Sequence, residues 1–461
     1  MGDPDFWAAV GTTFRDVLIA MVIVIIVGIC VGVAMGLWNV VDWLLEPTSQ
    51  FLRPIPAIVL LPLVLLIYGP TSQLAIALAV LGGIWPVLIH AQIGVRSVDP
   101  VAIDTGRAMG LPWRMRQTAI VLPSAMPSFA TGIRIASSLT LMLTIGAGVL
   151  GGSPGLGRAI MLAQQTGDAE AVFAILLGRG AGSCTERRPD RGREAIVART
   201  QGGGFMSRTL RIVLGAAPPV VVLVGYALWA QGASNAYFPP LGDIVQRFRE
   251  LWLSEGFLTH VVPSLKNLVL GFAIAVASGL LVGVALGLSR TTREMFVPLL
   301  NFGRSLPPIM LIPPLVLVLG VGDASKIAII AFGAAFPVCL ASIDGVRRTD
   351  PAQLDMARSI GLSPLETVRH IHLPSASPTI FGGVQVSLQV AFVLMIASEM
   401  LAAFRGLGYI TMQAQLMFDA RTMWAGTILL AILGFLTNAL FAMVRRSALS
   451  WHSGMTRALS D

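Results

Sequence analysis

"GLSPLETVRHIHLP", residues 361–374, is a charged interruption in a mostly apolar chain, and "GLPWRMRQTAIVLP", residues 110–123, has the same skeleton 251 positions earlier. The same offset holds on both sides of the pair. Gly28, Gly32 and Gly36 map onto Gly279, Gly283 and Gly287, and Arg53, Pro56 and Pro62 onto Arg304, Pro307 and Pro313. Pro86 maps onto Pro337, "GVRSVDP" (94–100) onto "GVRRTDP" (345–351), and "GLG" at 155–157 onto "GLG" at 406–408. An ungapped match of this length is a duplication, so the fold contains the polar stretch twice.

The 461 residues are 55% hydrophobic and 12% charged, where a soluble domain carries about 25% charged residues. Apolar runs lie near 16–38, 52–68, 73–93 and 129–150, then 212–231, 265–288, 299–320, 325–345, 380–402 and 423–444. A crossing needs roughly 20 such residues, which predicts ten spans: four in a truncated first copy and six in the second. The first run is too long for a signal peptide and follows Asp3 and Asp5, so it is expected to stay in the mature protein. The net charge of +8 comes from arginines in short loops between apolar runs, the pattern of solvated cytoplasmic loops and not of nucleic-acid binding. Cys30, Cys184 and Cys339 form no CxxC pair, and His370 and His372 would point to different faces of a helix, so no metal site is expected.

The glycines at i, i+4 and i+8 predict a smooth stripe for close helix packing in lipid. The paired prolines predict broken helical hydrogen bonding, as flex points or as fixed kinks. After "AEAVFAILLG" (169–178) comes an Arg/Gly-rich stretch, which divides the chain into residues 1–178, a linker at 179–207, and a second unit at 208–461. Glu399 falls near the far end of a span, where a carboxylate must face water or protein. It is a candidate for the translocation path, or else a paired structural group; its counterpart is Gly148. Arg134 opens a span where the second copy has Gln385, and is read as snorkelling to the interface, with contact to an anionic solute as the other reading. The nearest approach to a GxxxxGK[ST] phosphate loop, "GVGDASK" (320–326), lacks the second glycine. No nucleophile elbow or Cys/His cluster stands beside it, so enzyme chemistry is not expected.

In both copies the polar stretch reads Asp, two residues, three more, Gly, nine residues, then Ile-x-Leu-Pro: "DTGRAMG" with "IVLP" and "DMARSIG" with "IHLP". This resembles the EAA loop of bacterial ABC importer permeases. The matching positions are Asp104, Gly110, Ile120, Leu122 and Pro123 in the first copy, and Asp355, Ala357, Gly361, Ile371, Leu373 and Pro374 in the second. Asp replaces Glu in both, and the first copy also loses both alanines, at Thr105 and Gly106. A short helix begun after "DP" and ended by Gly is a compact knob that a partner's groove can grip, and the Leu-Pro pair starts the next element. "YFPPLGDIVQRF" (237–248), "ASEMLAA" and "GLGYITMQAQ" (406–415) are similar to permeases for nitrate, sulfonates, taurine or bicarbonate.

The resemblance implies an all-α polytopic transmembrane bundle of the type I importer fold, duplicated, in the bacterial inner membrane and in contact with lipid. It implies ABC ATPase subunits docked on the EAA loops, an extracytoplasmic solute-binding protein, and no cofactor in this chain, since ATP is bound by the partner. Two other arrangements remain open: a homodimer working through the second unit alone, and a secondary transporter of parallel repeats that needs no ATPase. With the arginine-rich ends of the second copy inside, its six spans satisfy the positive-inside rule. A first copy of four spans must start and finish outside, which leaves the linker on the wrong side to begin residue 208.

Overall fold

The computed structural model describes residues 4–53, 55–166, 218, 220, 221, 223–231 and 237–451, and every regular element among them is helical. The described residues separate into two compact units, the first holding residues up to 159 with the stretch ending at 245, the second residues 160–166 and 246–451. In the first, α1 (Pro4–Leu37), α2 (Asn39–Leu52) and α3 (Leu61–Tyr68) precede α4 (Ser72–Arg96), α5 (Pro100–Ala108) and α6 (Leu122–Gly151), followed by α7 (Leu156–Gln165), which belongs to the first unit only up to residue 159. After α8 (Leu241–Trp252), the second repeats this order as α9 (Val262–Leu288), α10 (Arg290–Ser305), α11 (Ile312–Leu319), α12 (Asp323–Arg347), α13 (Pro351–Ser359), α14 (Leu373–Leu401) and α15 (Leu407–Leu416). One further helix, α16 (Ala420–Ala448), closes it.

The glycine stripes are where the backbones meet. A methyl on Gly28 would stand 2.9 Å from Val87 Cβ, and one on Gly36 2.7 Å from Val95 Cβ, while Gly32 lies against the Leu88 carbonyl. The second unit repeats these contacts at the duplicated positions, Gly279 on Val338, Gly283 on the Cys339 carbonyl and Gly287 on Val346. Because the partner residues ascend together, α1 runs parallel to α4, and α9 to α12. α6 runs antiparallel to α4, with Gly94 against Ala125, Gly132 against the Pro86 carbonyl and Gly151 against Leu74.

Two parallel helices joined in sequence require the chain between them to return across the layer. That return is made by a bent pair and not by a straight helix. In the second unit the pieces Arg290–Arg304 and Pro308–Leu319 meet at 81°. Pro307 and Pro308 supply no amide donors at the break and hold Leu306 extended (φ −73°, ψ 120°). In the first unit the segment Ala57–Tyr68 is about 18 Å of helix, too short for a core of about 30 Å. The expectation of single spans at 52–68 and 299–320 is therefore corrected: proline divides each crossing. Among the described residues seven helices are long and apolar enough to span, and eight if the bent pair counts as one. The expected span at 212–231 falls largely outside the described residues, as do the linker at 179–207 and Cys184.

Three π-turns share one cause. Gln117–Val121, Phe257–Val261 and Val368–His372 each end one residue before an x-Pro pair, at Pro123, Pro263 and Pro374. The residue ahead of the proline donates five back: Leu122 to Gln117, Val262 to Phe257, Leu373 to Val368. The wider turn makes room for a proline ring that would strike the carbonyl four residues earlier, so the helix continues instead of breaking.

The packing yields a test. Gly283→Val forces a side chain into the α12 backbone and is expected to cost about 1–3 kcal/mol, read as a lower thermal midpoint of the detergent-solubilised protein. Gly11→Val, in the same helical setting but with nothing within 4 Å, is the control and should leave the midpoint nearly unchanged.

Candidate functional site

The two EAA-like loops form the same capped knob. Asp99 and Asp350 cap α5 and α13 by accepting from the amides of Val101 and Ala352, each at 2.9 Å, with Pro100 and Pro351 opening the helices. Gly110 and Gly361 close them, both at φ +73°. The amide of Leu111 donates to Gly106 and that of Gly110 to Arg107; Leu362 and Gly361 repeat the pair onto Ala357 and Arg358. This is the Schellman termination, which needs a left-handed residue and explains why the pattern has glycine at this place in both copies.

Asp104 and Asp355 are exposed and pair with Arg107 (2.8 Å) and Arg358 (3.1 Å) one turn on. Such exposed pairs contribute little stability. The inward face carries Gly106 and Ala357, both buried. A methyl on Gly106 would meet Ile120 Cδ1 at 2.7 Å, so the first copy's lost alanine is matched by closer seating on the isoleucine of Ile-x-Leu-Pro. Ile371 is likewise buried. Leu122 and Leu373 begin the following spans, and Pro123 and Pro374 occupy their first turns.

Outward the knobs present apolar groups: Met109 is 71% exposed, Met356 56%, Ile360 65% and Leu365 77%. In the second unit the loop is pinned by Ser363 and Glu366 as a capping box and by Ser375 donating to Gln353 at 2.9 Å. The first unit packs Val98 and Val121 into an apolar cluster where the second has Thr349 hydrogen-bonded to His372 at 2.9 Å.

Glu399 is 1% exposed and faces the start of α15. Three successive amides there are met by side chains: Gly406 donates to His260 Nδ1 (3.2 Å), Leu407 to Ser264 Oγ (3.0 Å) and Gly408 to Glu399 Oε2 (3.0 Å). A carboxylate on the free amides of a helix N-terminus is favourably placed. The first unit keeps one of these contacts, Leu156 donating to Thr13 Oγ1 at 2.9 Å; Gly148 stands for Glu399 and lets the Gly157 backbone approach directly. His260, Ser264 and Thr13 were not singled out from the sequence, since they lie about 140 positions from the amides they cap. Arg134 lies well inside α6, which continues a helix begun at Trp113.

Glu399→Gln keeps an acceptor for Gly408 and should be tolerated. Glu399→Ala leaves that amide buried and unmet, at a cost of about 1–3 kcal/mol, seen as a lowered thermal midpoint with proteolysis near residues 401–419. Gly361→Ala strains the left-handed cap and should loosen the second knob by about 1 kcal/mol, measured as faster amide exchange at Ile360–Leu362.

Comparison with known proteins agrees with this geometry. The family model for the binding-protein-dependent transport system inner membrane component matches twice, at residues 20–179 and 275–449. A protein named as an aliphatic sulfonates transport permease of Bacillus subtilis (strain 168) is 30% identical over 51% of this chain and 86% of its own length. The taurine transport system permease of Escherichia coli (strain K12) is 28% identical over 54% of this chain and 92% of its own. An ABC transporter permease of Brucella melitensis biotype 1 is 30% identical over 49% and 91%. With two family segments, each carrying one knob, and seven apolar helices, the chain belongs to the inner-membrane permease components of binding-protein-dependent ABC transport systems, as a multi-pass tandem of two such units.

Proposed function

We propose that this chain is the permease of an ATP-driven importer for a small anionic solute of the sulfonate, taurine, nitrate or bicarbonate kind, with sulfonates and taurine foremost because two relatives carry those names. The observation that carries the reading is the recurrence of one capped knob, with the same Gly φ of +73° and an exposed apolar side chain at the duplicated position, Met109 and Ile360, in both units. Each knob docks a separate ATPase subunit, which binds and hydrolyses ATP; this chain holds no cofactor and performs no chemistry. Asp104, Gly110, Ile120, Leu122 and Pro123, and their counterparts Asp355, Ala357, Gly361, Ile371, Leu373 and Pro374, build the coupling surface. Residues 1–178 and 208–461 act as the two membrane domains, joined by 179–207, and an extracytoplasmic binding protein delivers the solute. Glu399 contributes to the outer part of the path by fixing α15.

With both knobs in the cytoplasm, α6 ends and α9 begins on the outer side. The joining stretch therefore starts and finishes on one side of the membrane, and the expected span at 212–231 needs a second crossing to balance it.

Met109→Asp and Ile360→Asp each place a charge on one apolar rim. Each is expected to weaken co-purification of the partner ATPase about tenfold and to lower uptake of labelled taurine in cells carrying all components. Loss with Ile360→Asp alone would favour a homodimer through the second unit, and uptake that persists without the ATPase would favour a secondary transporter.

A further inference from the structure

α6 presents an unusual face. Ser124, Thr131, Arg134 and Ser138 are all exposed, and at 100° per residue they fall on one stripe. A spanning helix that turned this face to lipid would be apolar there. The second unit preserves the character at the duplicated positions: Ser375, Gly382, Gln385 and Gln389, of which all but the half-buried Gln385 are exposed.

The depth of Arg134 is set by its neighbours. Gly132 sits against Pro86, Val87 and His90 of antiparallel α4, which puts Arg134 about 16 Å from the level of Arg96 and about 20 Å from that of Ser72. The hydrocarbon core is about 30 Å thick, so the backbone at Arg134 lies in the cytoplasmic half of the layer. The expectation that Arg134 opens its span is corrected, since the helix that carries it begins at Trp113.

Its charge is uncompensated among the described residues. In α1, α4 and α6 the one other buried-layer acid, Asp16, is taken by Arg15 at 2.8 Å, and Asp42 of α2 by Arg96 at 2.6 Å. The second unit brings a guanidinium to the same position by another route: Arg445 of α16 donates to Gln385 Oε1 at 2.6 Å. Gln385 also donates to Asn438 at 3.3 Å, so α16 occupies that part of the stripe.

We infer that the stripe Ser124–Thr131–Arg134–Ser138 lines the solute path, and that Arg134 is a specificity-determining residue that binds the anionic head of the solute. A guanidinium offers paired N–H donors to a sulfonate or carboxylate, and hydroxyls at three and four residues from it supply weaker donors for a group in transit. The choice of anion rests on the proposed function; the assignment of the stripe does not.

Two measurements on the assembled importer, with its ATPase and binding protein, separate these parts. With Cys30, Cys184 and Cys339 changed to Ser, Thr131→Cys and Ser138→Cys should react with a water-soluble thiosulfonate much faster than Val22→Cys on the exposed apolar face of α1. Equal rates would mean that the stripe faces lipid, which overturns the inference. In uptake of butanesulfonate and taurine, Arg134→Gln should raise the half-saturation concentration about tenfold or more. Arg134→Lys should raise it less, with protein level unchanged in both. An unchanged half-saturation value in Arg134→Gln would remove the residue from the path. Failure of the unaltered importer to take up either sulfonate would sink the solute assignment and the Arg134 ligand together, while the labelling rates still judge the stripe.

Discussion

The contact on which the structure depends is the approach of α1 to α4, and of α9 to α12, through glycine. Lipid gives apolar side chains no reason to leave it, so helices associate in a membrane through close packing and directed contacts. Gly32 against the Leu88 carbonyl and Gly283 against the Cys339 carbonyl are such contacts. Their parallel sense dictates the course of the chain around them. The chain must recross between the two helices, so it needs a return segment. That return ends where α4 or α12 can begin, and the far end of α4 or α12 is where the knob is formed.

The two units keep what is steric and diverge in what is polar. Glycine contacts, Schellman caps and the π-turn before Leu-Pro recur at the same offset because each tolerates few substitutes. Polar anchors are solved twice. At the outer end the first unit uses Arg15 between Asp16 and Ser72, where the second assembles Asn267, Asp323, Lys326 and Arg405. At the inner end Arg96 pairs with the buried Asp42 in the first unit, and the second has Arg293 in place of the aspartate. A buried charge requires a partner but does not specify which one, so either arrangement is stable and neither copy constrains the other.

Much of this was legible in the sequence. The duplication, the glycine stripes and the knob were visible because each depends on local spacing that one pass along the chain records. The break at Pro307 was legible as a flex point or kink, but its angle of 81° was not, since an apolar run reports only length and hydropathy. The place of Arg134 within its helix was not legible, because the apolar run starts near 129 while the helix that carries it starts at Trp113. The clamp on α15 joins residues from three distant places, and no local pattern points from Glu399 to Ser264 or His260. Physical constraints within a turn or two leave a signature in sequence; constraints between helices leave one only where a small residue is obligatory.

The π-turns change the mechanics of the knob. Because they carry the helix through Leu-Pro without a joint, Pro364–Leu401 is one rod, about 57 Å long at 1.5 Å per residue. Its inner end belongs to the knob and its outer end reaches Glu399, which accepts from the start of α15. A rod of that length turned by about 5° about one end moves the other by roughly 5 Å. A modest tilt of the knob is thereby carried, at nearly a helix turn in size, to the opposite end of one continuous helix.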